Sequence, residues 1–237
     1  MENLKKELQE KGYTFFKMQD YPEFIDEYEH YKKYICNAEN NLLNYIKSMR
    51  FDGHRKTNEY NTSNIDTGVH LDVEGESFTE IENKFITEYL PNLDLENSAQ
   101  YWYYNHSQEV GKDFQKFINK LVNKLYDVNP YSLDHITSLT YYKKDCFLKK
   151  HRDGKTGTRI CAVLIYLNDE DYKMEWGGNI VFEEKETIPP IYGNIAILDF
   201  KEGNCLHEVK KVVDGYGRYA ILDFVSTEQS TNTPNYY

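Results

Sequence analysis

The spacing of apolar residues changes near Tyr131, and this change divides the chain into two parts with different predicted structure. Upstream, apolar residues recur every three or four positions in several stretches, which is the spacing of an amphipathic helix. Downstream, short runs of β-branched and aromatic residues are separated by glycine, proline and acidic turns, a pattern typical of antiparallel strands. We therefore predict an α+β chain that is mainly β, with N-terminal helices supporting a C-terminal β core.

Three upstream segments carry helical signals, either a helix-forming composition or an apolar stripe: 2–11, 22–49 and 114–125. Between the first two, residues 13–18 form a short strand-prone run. Residues 51–108 are polar and rich in turn-forming residues. We expect them to carry loops that determine specificity.

Six downstream runs are strand-prone: 136–142, 160–167, 179–182, 194–200, 206–213 and 218–225. Because no helix-length segment separates them, they predict an antiparallel sandwich or barrel. We expect one domain over residues 1–227, in which 1–130 provide helical support and substrate loops and 131–227 form the core. Residues 228–237 are predicted to be a disordered tail.

The charge balance argues against nucleic acid as a partner. The chain has 28 basic and 39 acidic residues, so its net charge is 28 − 39 = −11, and a negative field repels a phosphate backbone. The four cysteines are scattered, which fits a reducing compartment, and the first residues lack the apolar segment of a signal peptide. No apolar run has membrane-spanning length, so we predict a cytoplasmic protein with neither membrane nor nucleic acid as a partner.

The triplet His151-Arg152-Asp153 and the later His207 form a candidate metal site. Residues two apart on a strand point to the same face, so His151 and Asp153 can converge on one ion. Two imidazoles and one carboxylate are the ligands of a mononuclear non-heme iron(II) centre. Such a triplet alone is often a chance occurrence or a surface salt bridge. It gains weight from His207 and from Arg218, which could bind a dicarboxylate co-substrate.

Further motifs surround this triplet in the order typical of one enzyme family. They are Tyr142, His151-Arg152-Asp153, Leu164-Ile165-Tyr166-Leu167-Asn168, Gly177-Gly178-Asn179-Ile180-Val181-Phe182, Gly193-Asn194-Ile195-Ala196-Ile197-Leu198, His207-Glu208-Val209 and Arg218. From Tyr142 to Phe224 the chain resembles the iron(II)- and 2-oxoglutarate-dependent dioxygenases, especially their prolyl-hydroxylase-like branch.

The resemblance implies a double-stranded β-helix, a jelly roll with iron at its mouth. It implies that His151, Asp153 and His207 ligate Fe(II), and that Arg218 binds the distal carboxylate of 2-oxoglutarate in bidentate fashion. Further co-substrate contacts are implied for Tyr166 and Tyr142. The implied reaction consumes O2, converts 2-oxoglutarate to succinate and CO2, and hydroxylates an unactivated C–H bond, with ascorbate as a reductant. The intact aspartate favours hydroxylation over the halogenation carried out by relatives that lack it.

The substrate stays open at this level. A prolyl or other residue in a protein or peptide is the first hypothesis, and a free amino acid or small natural-product intermediate is the alternative. A function of another class, a non-catalytic binding barrel, is a further alternative. Basic residues near the triplet, among them Lys149 and Lys150, suggest an anionic substrate. Lysines that guard an exposed strand edge would give the same pattern.

The segment before Arg218 departs from the family pattern, because the spacing from His207 to Arg218 is longer than in close prolyl hydroxylases. We interpret Asp214-Gly215-Tyr216-Gly217 as a hairpin turn that absorbs the difference.

Overall fold

The computed structural model describes residues 1–35, 53–57, 99–104, 111–129, 132–151, 158–183, 185–200, 205–215 and 217–227. The predicted tail, 228–237, lies outside these described residues, as does the second half of the helix predicted over 22–49.

Three α-helices lie in the described part of the chain: α1 (Glu2–Lys11), α2 (Ile25–Ile35) and α3 (Gly111–Tyr126). Short 3-10 turns occupy Met18–Asp20, Pro22–Phe24 and Met174–Trp176. Helix α1 ends as the sequence predicts, because Gly12 takes the left-handed conformation, with φ 75°, and its N–H donates to the Leu8 carbonyl. None of the described helices has the length and apolar character that spanning a membrane requires.

Eleven strands lie in the same described ranges. They are β1 (Tyr13–Lys17), β2 (Gly53–Thr57), β3 (Ala99–Tyr104), β4 (Asp134–Tyr142), β5 (Phe147–His151), β6 (Arg159–Tyr166), β7 (Ile180–Phe182), β8 (Glu186–Ile188), β9 (Asn194–Asp199), β10 (His207–Val209) and β11 (Arg218–Ser226).

The strands form two antiparallel four-stranded layers. One layer has the order β9-β6-β11-β4, with β1 added beside β9, and the other has the order β5-β10-β7-β8. From β4 onward the chain passes back and forth between the layers, which is the winding of a double-stranded β-helix. Strand β3 pairs with both β4 and β5 and so joins the layers at one side. The predicted fold class is confirmed.

Strand alternation gives the protein two apolar cores. On β11, Tyr219 and Ile221 face the outer core, which lies under the helices. Ala220 belongs to the inner core between the layers, where Leu222 and Phe224 pack as partly buried neighbours. Each large apolar side chain that is fully buried stabilises the fold by about 1.5–3 kcal/mol. The two cores fix β11 from both faces.

Helix α3 covers the first layer with the apolar stripe that its sequence predicts. Phe117, Ile118, Leu121 and Val122 on this stripe are at most 1% exposed. The stripe therefore serves core packing, and the polar face of the helix points away from it.

The region predicted as loops, 51–108, contains β2 and β3 within its described residues. The sequence Ala99-Gln100-Tyr101-Trp102-Tyr103-Tyr104 of β3 is rich in strand-forming aromatic residues. Its polar surroundings hid this signal, and pairing with β4 and β5 supplies the tertiary context that stabilises it as a strand.

A buried polar network connects α3 to the outer face of the first layer. The Nδ1 atom of His135 lies 2.9 Å from Oδ2 of Asp223, and its Nε2 atom lies 2.8 Å from Oδ1 of Asn119. The Asp223 side chain is fully buried. Burial raises the pKa of the Asp223 carboxyl, and the hydrogen bond to His135 opposes this rise only in part.

Replacing Asp223 with asparagine should therefore change stability in a pH-dependent way. A carboxyl whose pKa is raised by folding contributes stability that is greatest at low pH and is lost as pH rises through the folded pKa. The unfolding free energy of Asp223→Asn should thus improve relative to wild type as the pH rises above about 4, the ordinary pKa of an aspartate. Urea unfolding at several pH values measures this difference, with Asp20→Asn at an exposed position as the control. A difference that does not vary with pH would contradict the assignment.

Candidate active site

Two histidines meet where the ends of two paired strands lie side by side. His151 ends β5, His207 begins β10, and the two residues are direct partners in the antiparallel register. Their ring centroids are 4.1 Å apart, with an angle of 50° between the ring planes. The His207 side chain is buried and that of His151 is half-buried. The fold thus brings together two of the predicted metal ligands.

Backbone carbonyls fix the tautomer of both imidazole rings in their neutral form. Nδ1 of His151 lies 2.9 Å from the carbonyl oxygen of Lys149, and Nδ1 of His207 lies 3.1 Å from that of Cys205. Since a carbonyl oxygen can only accept, each Nδ1 donates, and the neutral ring carries its lone pair on Nε2. Neutral imidazole held in this way is the usual form of a histidine metal ligand.

The third predicted ligand, Asp153, lies outside the described residues. Within the described ranges, no group of three or more histidine, cysteine, aspartate or glutamate side chains is arranged to hold a metal ion. The donor set of His151 and His207 suits iron(II), and the place of Asp153 in that set stays a prediction from the sequence.

Glu183 holds the chain just before His207. Its backbone N–H donates to the Leu206 carbonyl at 2.8 Å, and its Oε1 atom accepts from the Leu206 N–H at 2.9 Å. Glu183 adopts a left-handed conformation with φ 47°, which is uncommon for a residue with a side chain. These bonds extend the pairing of β7 with β10 by one residue and fix the start of β10, where His207 lies.

Arg218, at the start of β11, is a buried cation with unused hydrogen-bonding capacity. It is 1% exposed, and one terminal nitrogen, Nη1, lies 3.4 Å from Oγ1 of Thr140. Among the residues that the structure describes, Nε and Nη2 have no hydrogen-bond partner and no carboxylate forms an ion pair with the guanidinium. Its Cζ atom lies 4.7 Å from the ring centroid of Tyr142 and 5.2 Å from that of Tyr166.

Tyr166 presents a second buried polar group beside Arg218. It is completely buried, and among the described residues no group forms a well-aligned hydrogen bond with its hydroxyl. Burial raises the pKa of the Tyr166 hydroxyl, and the charge of Arg218 and a polar contact with it oppose the rise only in part. The hydroxyl therefore stays protonated at neutral pH and can donate to an anion.

Tyr172 and Gly178 lie beside Arg218. The Tyr172 hydroxyl donates to the Gly177 carbonyl at 3.0 Å, and burial raises the pKa of Tyr172 to about 12, although the Arg218 charge acts in the opposite direction. Gly178 has φ +69°, and a Cβ atom there would lie 3.0 Å from Cβ of Arg218. Only glycine leaves the arginine this space.

An uncompensated buried charge is costly, and a bound anion would remove that cost. The unpaired N–H groups of Arg218 match the two oxygens of a carboxylate, and the Tyr166 hydroxyl adds a third donor. The residues that are present therefore fit one end of a dicarboxylate such as 2-oxoglutarate.

The turn before Arg218 differs from the sequence interpretation. Gly215 adopts φ 76° and Gly217 φ 97°, so a tight turn is present. It is not a hairpin turn, because β10 and β11 lie in different layers and do not pair. The connection that contains this turn crosses from one layer to the other.

Sequence reasoning missed three residues of the site. Thr140 could have been found, because it lies two positions before Tyr142 and so shares a strand face with it. Glu183 and Tyr172 carry no comparable signal. Glu183 follows a strand end in an acidic stretch, and Tyr172 is one of 22 tyrosines in the chain.

Comparison with known proteins gives this geometry a family context. Residues 137–226, from β4 to β11, match the model of the 2OG-Fe(II) oxygenase superfamily. This part of the chain is therefore similar to a 2OG-Fe(II) oxygenase domain. No curated protein matches the chain by sequence.

Two solved structures share the fold of this chain. A prolyl-4-hydroxylase from Pseudomonas putida aligns with TM-score 0.54 and 13% identity, over 96% of this chain and 98% of its own. A prolyl hydroxylase from Trichoplax adhaerens, in complex with a peptide fragment of hypoxia-inducible factor, aligns with TM-score 0.54 and 16% identity, over 94% and 87%. At this level of identity the likeness concerns the fold.

Replacing Arg218 with methionine should separate the stability of the protein from its binding of 2-oxoglutarate. Loss of charge-assisted hydrogen bonds should weaken 2-oxoglutarate binding by about 10- to 100-fold. Removal of an uncompensated buried charge should raise the unfolding free energy of the ligand-free protein by about 1–3 kcal/mol. Calorimetric titration and urea unfolding measure the two effects, and Lys6→Met at an exposed position is the control. Lower stability together with unchanged binding would mean that Arg218 is purely structural.

Proposed function

We propose that the protein is an iron(II)- and 2-oxoglutarate-dependent hydroxylase that acts on a residue in a protein or peptide, with proline as the first candidate. The observation that carries the proposal is the buried Arg218, whose Nε and Nη2 donors have no partner among the described residues. The same domain contains the adjacent imidazoles of His151 and His207. A metal pair alone has many uses. The unsatisfied cation adds the requirement for an anionic co-substrate.

The inner core connects the two halves of the proposed site. Tyr166 and Phe182 belong to the same inner core, and the Phe182 ring lies 6.2 Å from that of His207. The space between the layers is therefore lined by apolar side chains, which exclude water and strengthen each polar contact made there.

Each residue has a defined role in this proposal. His151 and His207 hold the metal through Nε2, and Asp153 completes the set. Arg218 binds the distal carboxylate and Tyr166 donates to it, so the co-substrate is held in one orientation. When bound, iron and 2-oxoglutarate supply the oxidising chemistry, in which O2 gives one oxygen atom to succinate and one to the hydroxylated substrate, with release of CO2. Ascorbate is proposed as the reductant that keeps the iron in the iron(II) state.

A peptide substrate is supported by the fold neighbours, since one is described as a prolyl-4-hydroxylase and the other holds a peptide. A free amino acid or small natural-product intermediate is the alternative. Because one fold supports many substrates, the choice needs a direct screen.

The lysines of β5 support an anionic substrate. Lys149 is exposed and Lys150 is half-buried, next to His151 on the same strand. Strand β5 pairs with β10 on one side and with β3 on the other. Because β5 is not an edge strand, protection of an exposed edge does not explain these lysines. We propose that they steer an acidic substrate toward the metal.

Removing a metal ligand should abolish metal binding and turnover together. His151→Ala and Asp153→Ala should lose bound iron(II) and release no succinate from 2-oxoglutarate in the presence of ascorbate. His30→Ala, at an exposed helical position, should retain both. Metal analysis of the purified variants and succinate assays give the two readouts. Full metal content and turnover in either variant would rule out the proposed ligand set.

Reversing the charge of Lys149 and Lys150 to glutamate should remove a preference for acidic substrates. The test uses peptide and amino-acid libraries in which each acidic member has a neutral counterpart, with mass spectrometry for one added oxygen atom. Wild type should favour acidic members, less so at high salt, because salt screens exposed charges. An unchanged preference in the double variant would exclude steering by these lysines, and a product among free amino acids alone would select the small-molecule alternative.

A further inference from the structure

We propose that Asn168 is a positioning residue that sets the guanidinium of Arg218 for the dicarboxylate, an inference that rests on the proposed role of Arg218. Asn168 follows β6 and is 1% exposed. Its side chain forms hydrogen bonds with the backbone on both sides of Arg218, whereas the guanidinium of Arg218 donates to Thr140.

The Asn168 amide bridges the two residues that flank Arg218. Its Nδ2 group donates to the Gly217 carbonyl at 2.6 Å, and its Oδ1 atom accepts from the Tyr219 N–H at 2.8 Å. Both bonds are buried, where an unmade hydrogen bond costs about 1–3 kcal/mol. One side chain therefore fixes the peptide groups before and after the arginine.

The side chain replaces a strand partner that the backbone cannot supply. Regular pairing of β6 with β11 ends at Tyr166 and Ala220, and one further bond joins the Leu167 N–H to the Tyr219 carbonyl. Beyond that point Gly217 has φ 97°, which lies outside the range of a regular strand. The Asn168 amide reaches this carbonyl and so extends the pairing past Arg218.

Asn168 is itself held rigidly through its backbone. Its N–H donates to the Pro190 carbonyl at 3.1 Å, and its carbonyl accepts from the Tyr192 N–H at 2.6 Å. The Tyr192 hydroxyl in turn donates to the Tyr28 carbonyl at 2.7 Å. The bridge therefore connects the start of β11 to a fixed point in the core.

Backbone placement matters more for Arg218 than for a paired arginine. Within the described residues its guanidinium has no ion pair, and its hydrogen bond to Thr140 is long at 3.4 Å. The direction of its donors therefore depends on where the backbone places the side chain and on packing against the rings of Tyr142 and Tyr166. A displacement of about 1 Å at such a site can cost about 100-fold in function.

The test measures the affinity of manganese(II)-loaded protein for two ligands by calorimetric titration. 2-Oxoglutarate has the distal carboxylate, and 2-oxobutyrate keeps the 2-oxo acid end without it. Asn168→Ala should weaken 2-oxoglutarate binding by about 10- to 100-fold and leave 2-oxobutyrate binding unchanged. Asn123→Ala is the control, because Asn123 is a half-buried residue of α3 that donates to a backbone carbonyl, that of Val128, away from β11.

Asn168→Asp provides a near-isosteric second variant that preserves the shape of the side chain. Ionised aspartate cannot donate to the Gly217 carbonyl, whereas the protonated form can. Relative to wild type at the same pH, its 2-oxoglutarate affinity should be low at neutral pH and recover as pH falls. Affinity for 2-oxobutyrate should stay close to that of wild type at every pH. A merely structural role predicts that the affinities for both ligands fall and recover together.

The outcomes separate this inference from the proposed function. If Arg218→Met weakens 2-oxoglutarate binding and Asn168→Ala does not, the role of Asn168 is wrong and that of Arg218 stands. If both ligands lose affinity equally in Asn168→Ala, Asn168 supports the fold in general and the inference fails. If Arg218→Met has no effect, the proposed co-substrate site itself is wrong. In a double variant, Asn168→Ala should add nothing to Arg218→Met.

Discussion

The uncompensated charge of Arg218 is the interaction on which the site depends. The guanidinium is 1% exposed, and its Nε and Nη2 atoms have no hydrogen-bond partner in the described part of the chain. Such a buried charge is unfavourable unless an anion binds there. Its surroundings suit that purpose. Tyr142 and Tyr166 present their rings to it, and Gly178 leaves it space. The buried charge thus lowers the stability of the ligand-free protein, and a bound dicarboxylate would offset this loss.

The histidine pair follows a related design, in which main-chain groups fix the reactive side chains. Carbonyls two residues earlier orient both imidazoles, and Glu183 fixes the chain before His207. These contacts lie at strand ends, where regular pairing stops. In both halves of the site, hydrogen bonds at strand ends provide the rigidity that positions the functional groups.

The spacing of hydrophobic residues predicts α3 and most strands of the core, because each element buries one face or both against an apolar core. Helix α1 is predicted by its composition of helix-forming residues. The approach of His207 to His151 could be expected only through the family resemblance, since no local pattern reports which strands pair. The hairpin interpretation of residues 214–217 failed for that reason. The contacts of Glu183 and Tyr172 escaped prediction because they arise from tertiary geometry, which leaves no periodic pattern in the sequence.

A crystal structure of the protein with manganese(II) and 2-oxoglutarate would test the central claim most directly. We predict that the distal carboxylate accepts hydrogen bonds from Nε and Nη2 of Arg218 and from the Tyr166 hydroxyl. We also predict that the metal is bound by Nε2 of His151 and His207. A dicarboxylate bound elsewhere, with these Arg218 donors still unpaired, would contradict it.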